Sequence, residues 1–102
     1  MISNFDNSLS KSGSTQLNGF VTTSTTSTVE SIEYAMYFQQ EVSGNWSTIA
    51  TRTGIMYNTN LQTAYEYLTV SSGYYYRIRT IHTARNLGDV ETRTVLSSAV
   101  YV

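Results

Sequence analysis

The chain has 102 residues, enough for one folded domain and too few for two. Hydrophobic residues make up 40% of it, charged residues only 13%, and the formal net charge is −1. This balance argues against nucleic-acid binding and against attraction to anionic membranes. Because cysteine is absent, disulfides, thiolate nucleophiles and cysteine-based metal sites are excluded.

Hydroxyl-bearing side chains take the place of the usual charged surface. Serine and threonine together occupy 30 of the 102 positions, and Lys11 is the only lysine. The absence of cysteine fits an exported bacterial protein. No apolar stretch approaches the length of a membrane span, so membrane insertion is not expected. The first residues lack the basic and apolar regions of a signal peptide. We therefore expect a secreted or cell-surface protein in its mature form, with the signal peptide removed and a start methionine added.

Apolar and polar residues alternate with a period of two along most of the chain, which predicts β-strands. The clearest case is the third strand, where Ile32, Tyr34, Met36 and Phe38 share one face. The predicted strands are, in order, NFDNSLS, STQLNGFVTTST, ESIEYAMYFQQEV, WSTIATRT, LQTAYEYLTV, YYYRIRTIHTA and VETRTVLSSAVYV.

The segments between these strands carry turn residues, and none of them is proline. SGN at 43–45 predicts a tight hairpin and RNLGD a turn around Gly88, whereas TSTV and GIMYNTN are predicted to interrupt the strands on either side. The final strand is predicted to be the longest, with a bulge near Ser97. Seven short strands predict a single all-β domain over 1–102, an antiparallel two-sheet sandwich.

The stretch from Val70 to Arg79 resembles the corner between the fifth and sixth strands of immunoglobulin and fibronectin type III domains. In that motif an apolar residue and a turn ending in glycine precede a tyrosine whose hydroxyl bonds an upstream backbone group. The matching residues in this chain are Gly73 and Tyr76. The resemblance implies a structural corner at Tyr76. The buried tryptophan of the early strands is missing, since Trp46 follows a hairpin instead.

A second pattern consists of six short elements spread along the chain: Phe38-Gln39-Gln40, Gly44-Asn45-Trp46, Gly73 to Arg77, His82-Thr83, Glu91-Thr92 and Val100-Tyr101-Val102. In their order and spacing, nearly the whole chain resembles a family of small secreted Firmicutes proteins of unknown function. The resemblance implies export and an immunoglobulin-like β-sandwich, and it brings no activity with it.

Tyrosine is the most over-represented side chain and offers the main candidate binding surface. If Tyr76 points inward, Tyr75 points outward and could form an aromatic face with Tyr37, Tyr65 or Tyr67. The alternative is that these tyrosines only make cross-strand pairs. Trp46 could likewise stack on a partner or fold over a sheet edge.

Nothing in the sequence indicates a catalytic site, a metal site or a cofactor. His82 lies on the predicted inner face and lacks the neighbours of a catalytic or metal-binding histidine, so a half-buried structural role is expected. Arg77, Arg79 and Arg93 are expected to form weak cross-strand ion pairs with Glu33, Glu41 or Glu91. Asn45-Trp46-Ser47 fits a glycosylation sequon.

Two function classes remain open, and an enzyme is not expected. One is an extracellular binding module that recognises a protein or glycan through Trp46, Tyr37, Tyr65, Tyr67 and Tyr75. The other is a structural protein that assembles into homo-oligomers or filaments through exposed edge strands, which no proline and few lysines protect.

Overall fold

The computed structural model describes all residues from 1 to 102, and the chain is entirely β-structure and turns. It contains no helix long and apolar enough to cross a membrane. The strands are β1 (Ile2–Lys11), β2 (Gln16–Val42), β3 (Asn45–Thr69), β4 (Tyr75–Asn86), β5 (Asp89–Leu96) and β6 (Val100–Tyr101).

Strands β2 and β3 form one long antiparallel hairpin that spans residues 16–69. The two-residue connection, Ser43 and Gly44, has φ angles of 53° and 81°, the left-handed values that a tight hairpin turn requires. The ladder between the strands has a register shift between Phe38 and Gln39 and a longer interruption between the pairs Ser24–Leu61 and Val29–Thr59. This interruption divides each long strand into two halves.

The two halves of β2 have different neighbours on the side away from β3. Residues 17–25 pair with β1, and residues 31–40 pair with β4, which pairs in turn with β5 and β6. All pairs are antiparallel, and the single six-stranded sheet curls into a half-barrel. The predicted all-β class is therefore confirmed.

The core lies inside the curl and draws on both halves of β2. Leu17 and Val21 come from the first half, and Met36 and Phe38 from the second; all four are almost completely buried. A Cβ added at Gly19 would lie 2.6 Å from the Met36 sulfur, so the two halves approach each other closely. The predicted inner face of residues 32, 34, 36 and 38 is confirmed by their burial.

Three predicted strand boundaries are wrong. The TSTV segment bends without ending the strand, because its threonines favour extended backbone, and β2 runs on to Val42. The GIMYNTN segment belongs to β3 and is not a connection, although Asn58 has a φ of 51° there. The final strand is not the longest, since β5 ends at Leu96 and pairing resumes only at Val100.

Candidate functional site

Strand β3 is the outermost strand of the sheet along its whole length. It pairs with β2 and with no other strand, so the N–H and C=O groups on its far side face no strand of this chain. We call this side the free edge of β3. Over 25 residues the strand carries two charged side chains, Arg52 and Glu66, and no proline. Charge and proline are devices that normally prevent an edge from pairing with another chain, and in β3 they are sparse.

Strand β3 also carries an unusual share of the exposed apolar surface. Seven of the fifteen large hydrophobic side chains exposed in the structure belong to it, and Tyr57 is 68% exposed. These seven residues are Ile49, Ile55, Met56, Tyr57, Leu61, Tyr65 and Tyr67. Exposed apolar residues that cluster beside an unpaired edge are typical of a protein interaction surface.

Two of the predicted binding residues, Tyr65 and Tyr67, lie in the second half of β3. They pair with Phe20 and Asn18 of β2 and point away from the core. The Tyr65 ring packs on Phe20 with 5.0 Å between centroids, which leaves 61% of Tyr65 exposed. These side chains form an aromatic strip directly beside the free edge.

The other three predicted binding residues, Tyr37, Trp46 and Tyr75, lie on the outer face of the other half of the sheet. Two of their rings are covered by arginines: the Arg77 guanidinium lies 4.3 Å from the Trp46 centroid, and that of Arg79 lies 5.7 Å from Tyr37. Tyr75 packs against Tyr101. The five predicted residues therefore belong to two separate surfaces, because Tyr65 and Tyr67 lie on a different half of the sheet.

A shallow groove of about 480 Å³ opens beside Tyr37 on this outer face. Its apolar lining includes Ala35, Ile55 and Ile81. Carboxylate and hydroxyl groups from Glu33, Thr53 and Thr83 lie at its margin.

The arginines have partners that differ from those predicted. Arg77 and Arg79 make contacts with aromatic rings, and Arg77 donates to Gln39 instead of to a glutamate. The cross-strand ion pair to Glu33 comes from Arg85, which the sequence did not single out, and Arg93 pairs with Glu91 on its own strand. Arg52 has neither a carboxylate nor an aromatic partner; its Nη1 donates to the carbonyl of Thr51.

His82 is completely buried, whereas a half-buried position was predicted. Its Nδ1 lies 2.7 Å from the Thr23 hydroxyl and its Nε2 lies 2.8 Å from the Thr80 hydroxyl, so both ring nitrogens have partners. Burial lowers the pKa of the imidazole below its usual 6.5, while the nearby Asp6 carboxylate acts in the opposite direction. The geometry is that of a neutral structural histidine.

The turn that begins at Ser71 is tied to β4 by Tyr76. The buried Tyr76 hydroxyl donates to the Ser71 carbonyl at 2.6 Å and accepts from Gln40 Nε2 at 3.1 Å. Gly73 has a φ of 92° within the same turn, a conformation that favours glycine. Tyr76 thus links the turn, β4 and β2.

A second internal tyrosine, Tyr34, connects the two halves of the sheet. Its hydroxyl donates to a Glu66 carboxylate oxygen in the second half of β3. Burial raises the pKa of Tyr34 to about 12, and the bond to the negatively charged Glu66 acts in the same direction. The contact between Tyr34 and Glu66 was not predicted from the sequence, because nothing in their spacing places the two residues together.

No group of three or more histidine, cysteine, aspartate or glutamate side chains in the structure could hold a metal ion. Comparison with protein-family models, with curated proteins and with solved structures found no match to this chain.

Proposed function

We propose that this chain is a non-enzymatic, secreted or cell-surface binding module with an immunoglobulin-like β-sandwich fold. The sandwich interpretation is supported by the two sets of neighbours along the long strands. One set joins β1, residues 16–25 and residues 61–69; the other joins residues 45–59, residues 29–42, β4 and β5. The Tyr76–Ser71 bond also matches the corner hydrogen bond of that fold.

The binding surface in this proposal is the free edge of β3 together with Tyr65 and Tyr67, and the partner is a protein. A single observation carries this choice: the strand with seven exposed apolar side chains is also unpaired along one whole side. An extended segment of a partner would bond to the backbone of the edge. The tyrosines beside it would supply apolar contact area and hydroxyl groups.

A second candidate function is glycan binding at the groove beside Tyr37. An aromatic ring, a carboxylate and threonine hydroxyls around an apolar lining are suited to a sugar, which has both apolar faces and hydroxyl groups. The stacking of Arg79 on Tyr37 counts against this candidate, because part of the ring is already occupied.

The experiment is a selection of binding peptides from a random displayed library, followed by affinity measurements with two matched double variants. Y65A/Y67A removes two exposed tyrosines beside the free edge, and Y37A/Y75A removes two from the other surface. We expect selected peptides to bind the wild type and Y37A/Y75A equally, and Y65A/Y67A at least about tenfold more weakly.

A glycan array probed with the same proteins separates the two candidates. Sugar binding that is lost only in Y37A/Y75A would establish the second candidate in place of the first. Peptide binding that is equal in both double variants would contradict the assignment to β3.

A further inference from the structure

In one register of antiparallel pairing between two copies of β3, the two charged residues of the strand would face residues of opposite charge. In an antiparallel pair of identical strands, two residues face each other when they lie equally far from the two-fold axis. Arg52 and Glu66, the only charged residues of β3, each lie seven positions from Thr59. An axis at Thr59 therefore places each Arg52 opposite the partner copy's glutamate, twice in every dimer.

The position of this axis coincides with the division of the strand. Thr59 is the residue at which the ladder with β2 resumes after its longer interruption. An axis there pairs the first half of β3 in one copy with the second half in the other. Each half of the curled sheet is then extended by the opposite half of the partner.

The side chains opposite each other in this register are complementary. Even spacing keeps outward residues facing outward ones, so Tyr65 and Tyr67 lie opposite Thr53 and Thr51 of the other copy. Aromatic residues beside β-branched residues form favourable cross-strand pairs. The exposed tyrosines of β3 would gain contacts that the single chain does not give them.

The other outer strands make poorer candidates for self-pairing, and one of them, β6, is only two residues long. Strand β5 carries Asp89, Glu91 and Arg93 within eight residues, and β1 carries Asp6 and Lys11 within ten. Charges at this density protect an edge. Strand β3 has two charges in 25 residues, and its arginine lacks an acidic partner within the chain.

We propose that two copies of this chain associate through antiparallel pairing of their β3 free edges about an axis at Thr59, with Arg52 facing Glu66 across the interface. This inference rests on the proposed function, because both use the free edge of β3. It goes further by naming the partner as a second copy and by fixing the register.

Light scattering after size-exclusion chromatography, over about a hundredfold range of concentration, measures the association. We expect a mass approaching twice the 11.4 kDa of one chain. R52E or E66R alone should raise the dissociation constant at least about tenfold, because each places like charges opposite each other twice, and R52E/E66R should restore dimerisation. R93E is the matched control on β5, and Tyr34→Phe controls for loss of the Tyr34–Glu66 bond; both should leave the dimer intact.

A cysteine cross-link tests the register without relying on affinity. The chain has no cysteine, so a single introduced thiol can react only with its copy. T59C should oxidise to a covalent dimer, since the axis brings the two positions within disulfide reach. T63C should not, because its two positions would be eight residues apart along the pair, roughly 26 Å.

A wild type that is monomeric at every concentration would overturn the inference. So would a dimer that ignores both charge reversals, or one in which T63C cross-links and T59C does not. A monomer that still binds selected peptides through Tyr65 and Tyr67 would overturn only the self-pairing, whereas equal peptide binding by both double variants would overturn the proposed function itself.

Discussion

Strands β2 and β3 have nearly equal lengths and pair with each other over most of them, yet they differ in almost every other respect. Strand β2 has a neighbour on both sides and supplies most of the core, including Leu17, Met36 and Phe38. Strand β3 has a neighbour on one side, and Gln62 is its only buried residue. Backbone pairing alone therefore does not bury the side chains of a strand; their burial depends on the position of the strand in the sheet.

The largest expected difference between the two strands comes from truncating a large side chain in each. Phe38→Ala should lower the free energy of unfolding by about 3–5 kcal/mol, because it leaves a cavity in the core. Tyr65→Ala in β3 should change it by no more than about 0.5 kcal/mol, because that side chain is mostly exposed. Urea unfolding of both variants measures the difference, and similar losses would contradict the contrast between the strands.

A smaller effect is expected where the backbone of β3 meets a side chain of β2. A Cβ added at Gly54 would lie 2.5 Å from the ring of Tyr34, which is held by its bond to Glu66. We expect Gly54→Ala to cost about 1–3 kcal/mol through overpacking. The loss should shrink in a Tyr34→Leu background, where the ring is gone; an unchanged loss in that double-mutant cycle would mean that the contact is not its cause.

The buried His82, which contacts the Thr23 and Thr80 hydroxyls, should make stability depend on pH. Because the pKa of His82 is lowered in the folded state, the unfolded chain binds a proton first as the pH falls. Stability is then fully present above pH 6.5 and falls below it, by up to about 1.4 kcal/mol per pH unit, until the folded-state pKa is reached. Urea unfolding between pH 7.5 and 5 should show this slope for the wild type and lose it in His82→Gln. An equal slope in both proteins would assign the dependence to other groups.

The smallest expected effect concerns two adjacent tyrosines of β4, one bonded to β2 and one not. Tyr76→Phe should lower stability by about 1 kcal/mol or more, since Ser71 loses a donor and Gln40 an acceptor. Tyr75→Phe is the matched control, because its exposed hydroxyl has no hydrogen-bond partner in the chain, and it should have no effect. Thermal melts of both variants measure the difference in stability. An unchanged melting curve for Tyr76→Phe would contradict the assignment of Tyr76 as a corner residue.

The inner faces of β2 and β4 could be predicted from the sequence. Strict alternation places every second residue from Ile32 to Phe38, and every second residue from Tyr76 to His82, on the buried side. The continuity of β2 could not, since a threonine run is compatible with either a strand or a bend. In residues 54–60 apolar and polar residues do not alternate, because both faces of the strand are exposed there. This segment was therefore predicted to be a connection between strands.

The candidate sites were predictable only in part. Outward positions of Tyr65, Tyr67 and Tyr75 follow from alternation, but the division of the tyrosines between two surfaces depends on which strands become neighbours. Whether one side of β3 stays unpaired also depends on which strands become neighbours. A sequence reveals which residues form a strand more readily than which side of that strand stays unpaired.

The two-residue turn at Ser43 and Gly44 also has a consequence for how the chain folds. Val42 and Asn45 beside the turn are three positions apart, whereas Gln16 and Thr69 at the far end of the hairpin are 53 apart. Closing a loop costs more entropy as the loop lengthens. Each pair formed near the turn therefore lowers the entropy cost of forming the next pair. More than half of the chain can thus assemble by zipping outward from its middle, and the completed hairpin then offers β1 and β4 a preformed strand on which to pair.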